Sequence, residues 1–426
     1  MMKISAVFFL VLSLSALFSE VSYAESGSLS NSGAAVAVSS TVTNSGTSMP
    51  VVAMTNSGGT RVTVPKPELV QTGFRAEHNL PEDILGIEKR YPGTRISTVS
   101  FIYDDYGTGT DSDFRRAVTL LGTGRVYHVT ISPFGYTAAQ VASGAFDDGY
   151  ARFFRTSREL KARVLFRTMH EMNGGWYSWA SHPADFRRAF RHVHDLARKH
   201  ALTKDRFKMV FSVNSLDLPT IEEVPNQQSK LIHCELDGPV TEKMPFCPTF
   251  EDYWPGDEYV DVVGTTLYNW GRAKAEKWAG WKTAEQMLGE YGLLVRLEKF
   301  KKPVGLDEVG TTSARFNGSW SWDKARNAYL NDTDNKNAWV SDLTRYVAFG
   351  GRLSYAVYFN ADKTYGLSLP VHGELDWKVL SAENPIEYAS ALDFLALGNG
   401  RGRYAPRTVK KPSRKSFETA SQTSGK

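Results

Sequence analysis

The chain has 426 residues, 42% of them hydrophobic, and a formal net charge of +4. That length holds one large domain or two or three small ones, with apolar residues enough for a full core. The surplus charge is local, because residues 401–415 carry seven Lys or Arg and no acid; a nucleic-acid footprint spread over a folded face is excluded, and the run reads as a solvated basic tail over 401–426.

Lys3 followed by an apolar run from Ile4 to Phe18 and by Ser22-Tyr23-Ala24 reads as a signal peptide cleaved after Ala24. The mature protein is then expected outside the cytoplasm, in the periplasm or the medium. No cysteine lies near the cleavage site to carry a lipid, and no later run is long and apolar enough to span a membrane. Residues 25–64 are rich in Ser, Thr, Gly, Val and Asn, with no charge from Ser26 to Thr60. Such a segment cannot bury enough surface to fold alone and reads as a flexible linker.

From residue 65 to about 400, apolar β-rich runs alternate with helical patterns. Strands are expected at Leu69–Phe74, Ile96–Tyr103, Val126–Ile131, Arg163–Phe166, Lys208–Val213, Tyr259–Leu267, Pro303–Leu306 and Leu353–Phe359. Helices are expected at Pro81–Arg90, opened by Asn79 and Pro81, at Phe114–Leu121, Phe146–Leu160, and after Pro183. Further helices fall at Ala284–Phe300, Asn337–Phe349 and Pro385–Leu397. After Pro183, residues Phe186, Phe190, Val193 and Ala197 make one apolar stripe. The long loop at 217–255 holds the only cysteines, Cys234 and Cys247, 13 apart. In an exported chain they predict one local disulfide, and zinc would need more soft ligands than His233 adds.

Strict strand–helix alternation implies parallel strands with helical crossovers. Eight such units favour a closed (β/α)₈ TIM barrel as a single catalytic domain, with an open doubly wound sheet as runner-up. Asp104, His170, Glu171, Asn214, Tyr268, Glu308 and Asn360 all fall at expected strand exits, the face that carries the active site in a barrel.

The densest chemistry lies in FRTMHEMNGGWYSW, residues 166–179. A buried strand turns polar and reaches His170, Glu171 and Asn173. Gly174 and Gly175 are expected to turn the backbone, and Trp176, Tyr177 and Trp179 follow. A carboxylate walled by indoles suits an acid held protonated, and aromatics beside it suit the apolar face of a sugar ring. Glu308 closes the seventh expected strand and Glu171 the fourth, so the two side chains converge across the barrel mouth. Paired carboxylates across a sugar-sized cleft are what glycoside hydrolysis requires.

RVLFRTMHEMNGGWYSW, WPGDEYVDVVGTTLYNWG at 254–271 and KKPVGLDEVG at 301–310 resemble glycoside hydrolase family 26, and SGAFDDGYARFF at 143–154 is similar to its helix before the fourth strand. The resemblance covers about residues 67–397. It implies a retaining endo-β-glycanase, most often an endo-β-1,4-mannanase, working by double displacement without a cofactor. It implies Glu171 as acid/base, Glu308 as nucleophile, His170 holding the sugar next to the cut bond, Tyr268 bonded to the nucleophile, and Trp176 as sugar platform. Asn173, Trp179, Asn214, Trp270 and Phe359 complete the expected substrate-binding set. Phe359 stands where a Trp platform is expected, and Asp307 replaces a small residue before the nucleophile. Strand alternation points Asp307 away from the site; pointed inward, it would raise the pKa of Glu308.

The expected partner is a polysaccharide, a β-mannan or related β-glycan, bound by a monomer without nucleic acid or membrane span. Two alternatives are a hydrolase of a bacterial exopolysaccharide on the same scaffold and an inactive polysaccharide-binding protein; both carboxylates being present counts against the second. The sequence lacks the second histidine of HExxH, a phosphate-cradling Gly-Lys-Ser/Thr and a Gly-x-Ser-x-Gly elbow. Trp278 and Trp281 read as helix packing, Trp320 and Trp322 as either rim contacts or loop packing, and His192 and His194 as solvated surface.

Overall fold

The apolar runs pair into one closed ring of eight parallel strands. The computed structural model describes residues 71–76, 79–103, 110–174, 177–180, 182–217, 248–269, 281–311, 333–361, 377–382 and 388–400, with a few two-residue strands between them. The expectations for the signal peptide, linker, disulfide, Asp104, Trp176, Trp270, Trp278, Trp320 and basic tail lie outside the described residues, as does the side chain of Trp322. No helix among the described residues is long and apolar enough to cross a membrane.

The barrel strands are β1 (Gln71–Arg75), β2 (Thr98–Tyr103), β3 (Val126–Ile131), β4 (Arg163–Thr168), β5 (Phe207–Asn214), β6 (Val262–Asn269), β7 (Val304–Thr311) and β8 (Leu353–Tyr358). They lie in chain order around the ring, and β1 closes it by pairing with β8. Closure removes the open-sheet alternative. The helices are α1 (Pro81–Arg90), α2 (Thr110–Leu121), α3 (Ala138–Ala142), α4 (Asp147–Leu160), α5 (Pro183–Lys199), α6 (Ala284–Gly289), α7 (Leu293–Glu298), α8 (Thr333–Phe349) and α9 (Ala389–Leu397).

Local chemistry explains most of these boundaries. Proline opens α1 and α5 at the first turn, where its missing N–H has no helical partner to lose. The α5 stripe Phe186, Phe190, Val193 and Ala197 is fully buried against the barrel. Asn79 is not the cap of α1. Its side chain instead binds the Ile102 backbone at both N–H and carbonyl, tying the α1 entry to the end of β2. The expected single helix after residue 284 is broken, because Tyr291 (φ 49°) and Gly292 (φ 63°) are left-handed between α6 and α7. The short α3, absent from the sequence reading, has a full capping box between Thr137 and Gln140.

Two apolar layers enclose the ring. The outer faces of the strands join the helices in the main core. Inside the barrel, Val126, Leu165, Val210, Val262, Tyr355 and Val357 form a separate layer. Above it the interior turns polar, with Ser100, His128, Thr130, Arg167, Ser212, Thr266 and Asp307 all at most 1% exposed.

Strand β7 breaks the alternation. Leu306 pairs with Thr265 of β6, but Glu308 already pairs with Thr266. Against β8, Leu306 and Val309 face Ala356 and Tyr358, three steps against two. This bulge adds one residue to β7. Leu306 and Val309 pack outward in the main core, while Asp307 and Glu308 both turn inward. The outward orientation expected for Asp307 is therefore wrong, because alternation does not survive the bulge. The bulge also places Glu308 within a strand that runs on to Thr311, not at its exit.

Candidate active site

Glu171 is delivered by a strained turn rather than by glycine. β4 ends at Thr168, and Met169 (φ 45°) and Glu171 (φ 52°) both adopt left-handed backbone. For residues with a Cβ this costs about 1–2 kcal/mol each. The surroundings compensate: Met169 and Met172 are fully buried. The Glu171 N–H donates to the Ser212 carbonyl at 2.9 Å, and Gly174 N–H to the Glu171 carbonyl at 2.9 Å. The backbone reverses at Met169 and Glu171 and Gly174 closes the short 3₁₀ turn at Met172–Gly174, while Gly175, the other glycine of the expected turn, lies outside the described residues.

The Glu171 carboxylate accepts from Thr266 Oγ1 and from Asn214 Nδ2, the latter at 3.1 Å. Burial pushes its pKa above the ordinary carboxylate range, and the charge of Glu308 pushes it further. The bonds from Thr266 and Asn214 and the charge of Arg167 work in the opposite direction without reversing the shift. Asn214, expected to touch substrate, is thus spent on Glu171 and on Thr266.

Glu308 has different company. One oxygen accepts from Arg167 Nη2 and the other from the Tyr268 hydroxyl. Both partners favour a charged carboxylate. Burial opposes the charge on Arg167, but Glu308 and Asp307 outweigh it and raise its pKa. Arg167 Nε also donates to Thr130 Oγ1 at 2.6 Å, fixing the guanidinium. Burial and then the Glu308 charge raise the Tyr268 phenol well above its usual value, so it stays a donor. Glu171 and Glu308 keep 9% and 7% exposure, so neither is sealed in hydrocarbon.

Several expected sugar contacts are structural instead. Trp179 is fully buried, stacks on Tyr177 at 4.4 Å and spends its indole N–H on the His170 carbonyl at 2.9 Å. Asn173 donates to the Asn214 and Leu216 carbonyls and to Asp217, and accepts from the Asn214 N–H at 2.8 Å. Its amide clamps the exits of β4 and β5 together. Phe359 is 1% exposed, packed with Ile102, Ala361 and Trp377 and capped by the Arg75 guanidinium at 4.3 Å. Asn360 binds the backbone of Val379 and Leu380. His170 sits 5% exposed, with Nε2 on the Tyr177 hydroxyl at 3.1 Å. His194 is also buried, edge-on to Tyr259 at 5.1 Å, whereas His192 pairs with Asp147 on the half-buried surface. Trp281 is partly buried against the core.

Arg167 and Trp377 are site residues that the sequence reading missed. An Arg in mid-strand, between two apolar faces, was the available signal for the first. Trp377 stacks on Tyr268 at 4.4 Å and fixes the ring whose hydroxyl reaches Glu308; it follows the last strand in a stretch without periodicity, and no pattern marked it.

Beneath Glu308 lies a second polar group. Ser100 Oγ meets His128 Nδ1 at 2.9 Å, and His128 Nε2 meets Asp307 Oδ1 at 3.0 Å. The Tyr355 hydroxyl donates to the same Asp307 oxygen. The ring nitrogens are reversed from a serine-hydrolase triad, where Ser sits on Nε2, and Ser100 is 1% exposed. This is not a nucleophilic serine.

No family model matches the sequence. The chain is 24% identical over 279 residues to Endoglucanase H of Acetivibrio thermocellus, a match covering 62% of this chain and 24% of that protein. It therefore spans about a quarter of that relative. Among solved structures, it is similar to the catalytic domain of the Bacillus sp. JAMB-750 GH26 endo-β-1,4-mannanase, with 16% identity, TM-score 0.46, and 78% and 86% of the two chains covered. It is similar also to GH26A from Muricauda sp. MAR_2010_75, with 16% identity, TM-score 0.41, and coverage of 69% and 85%.

Proposed function

We propose that this chain is a retaining endo-β-glycanase of glycoside hydrolase family 26, exported and acting on β-1,4-mannan. The observation that carries the reading is the unlike treatment of two buried glutamates that interact inside one barrel. Glu171 has neutral hydrogen-bond donors and a raised pKa; Glu308 has a cation and a phenol as donors. One is suited to give a proton, the other to attack. The three sequence blocks that resemble family 26 and the sequence similarity to Endoglucanase H support the family and the endo-acting class.

In this mechanism Glu171 protonates the glycosidic oxygen as Glu308 attacks the anomeric carbon. The C–O bond to the leaving sugar breaks and a glycosyl ester to Glu308 forms. Glu171, now ionised, takes a proton from water, and that water releases the sugar with its configuration retained. Tyr268 and Arg167 hold Glu308 in line. The leader-like N-terminus supports export, and the resemblance to family 26 motifs favours mannan among β-glycans.

The test is product analysis across plant mannans, mixed-linkage β-glucans, xylans and bacterial exopolysaccharides, with the first-formed anomer read by NMR. The expected result is retained-configuration oligosaccharides from mannan, lost in Glu171→Ala and Glu308→Ala. Turnover of a bacterial exopolysaccharide alone would replace the substrate, and saturable binding without product would replace the enzyme reading.

A further inference from the structure

The interior of the barrel holds a carboxylate that the proposed mechanism does not use. Asp307 is fully buried, and the bulge in β7 turns it inward beside Glu308. The fold makes room for it at some cost. A Cβ on Gly264 of β6 would lie 1.9 Å from Asp307 Oδ2, and one on Gly305 would lie 2.1 Å from the Tyr355 ring. Only glycine at these two positions admits the Asp307–Tyr355 pair.

Both polar contacts of Asp307 fall on Oδ1, and Oδ2 is buried without a hydrogen-bond partner. An ionised Asp307 only accepts, so in that state His128 presents Nε2–H to it, and Ser100 Oγ lies 2.9 Å from Nδ1. Tyr355 supplies a second donor to the same oxygen. Three carboxylates act on Arg167, Glu308 in direct contact and Asp307 and Glu171 through their charge.

Resting on the glycosidase reading, we propose that Asp307 is a positioning residue whose charge shares Arg167 with Glu308 and keeps the nucleophile basic. With Glu308 alone, the full attraction of a buried guanidinium would fall on the attacking oxygens and quench them. A second anion draws on the same cation, and its like charge disfavours over-stabilising Glu308. The groups facing Asp307 are Ser100 through His128 on β2 and β3, Arg167 on β4, Tyr355 on β8 and Glu308 on its own strand; β6 offers only Gly264.

Asp307→Asn keeps the shape and still accepts both bonds at Oδ1; Asp307→Ser removes volume as well as charge. Tyr355→Phe leaves the charge in place. The Glu308 carboxyl, followed by ¹³C NMR titration of the purified protein without substrate, is expected to titrate on the order of one pH unit lower in both Asp307 variants. In Tyr355→Phe it is expected at the wild-type position. With a hydrolysed glycan as substrate, the acidic limb moves down by the same amount, and kcat falls roughly three- to tenfold at unchanged KM. A packing role alone would lower Tm in proportion to the volume lost and leave the Glu308 titration unmoved; that result overturns the proposal. If the wild type cleaves no glycan, the glycosidase reading falls while the titration still decides the role of Asp307.

Discussion

Tyr268→Phe isolates one bond at the site. The ring is held by Trp377, stacked at 4.4 Å, and by Phe359, edge-on at 5.6 Å, so the phenyl ring stays in place. Only the hydroxyl that donates to Glu308 is lost. A hydrogen bond to a charged group contributes about 1.5–3 kcal/mol. If the bond holds Glu308 aimed in the transition state, kcat/KM falls about 10- to 150-fold. Losing a donor also makes the carboxylate easier to protonate, so the acidic limb of the pH–rate profile should move upward. Both effects are measured by initial rates on a soluble glycan between pH 3 and 8. A variant within about twofold of wild type, with an unmoved acidic limb, would refute the claim that Tyr268 acts through Glu308.

The raised pKa of Glu171 places the alkaline limb above the ordinary carboxylate range, and Glu171→Gln should remove turnover altogether. The same shift acts on stability: a raised folded pKa stabilises fully below the unfolded value, and that contribution is lost as pH rises through the folded one. Glu171→Gln should therefore melt higher than wild type near neutral pH and lose that advantage in acid, as read by calorimetry at several pH values. Trp179→Ala should cost about 3–5 kcal/mol in chemical denaturation because it empties a buried site, and where it stays folded its KM should change little. Gly264→Ala should cost about 1–3 kcal/mol by forcing a Cβ against Asp307, and adding Asp307→Ser should recover part of that loss in a double-mutant cycle.

The barrel was legible because its signal is repeated. Eight apolar runs bounded by turns leave few alternatives, and α1 and β3 have the boundaries read from their prolines and β-branched residues. That Glu171 and Glu308 would be buried beside polar partners was legible for another reason: a charged residue beside a buried strand must have a partner or a task. The orientation of Asp307 was not legible. A bulge in parallel strands leaves no mark in the order of residues, because it is fixed by register with β6 and β8. Trp179 and Phe359 were misread as sugar surfaces because an aromatic near a carboxylate has the same letter whether its face is open or packed. Asn173 was misread similarly: its four hydrogen bonds go to β5 and the residues just after it, forty or so positions along the chain.

Two like carboxylates inside one barrel would ordinarily compete for one proton and share two blurred titrations. Here their hydrogen-bond partners break the symmetry. Glu308 draws on Arg167 and Tyr268, both aimed from the barrel interior, whereas Glu171 receives only Thr266 and Asn214. The ionised state of the first then raises the proton affinity of the second, so each glutamate sets the other's role. On the proposed mechanism, esterifying Glu308 removes the second of the two influences that raise the Glu171 pKa, after burial. The Glu171 proton is then held less tightly in the second step of that mechanism, the direction that a switch from acid to base requires.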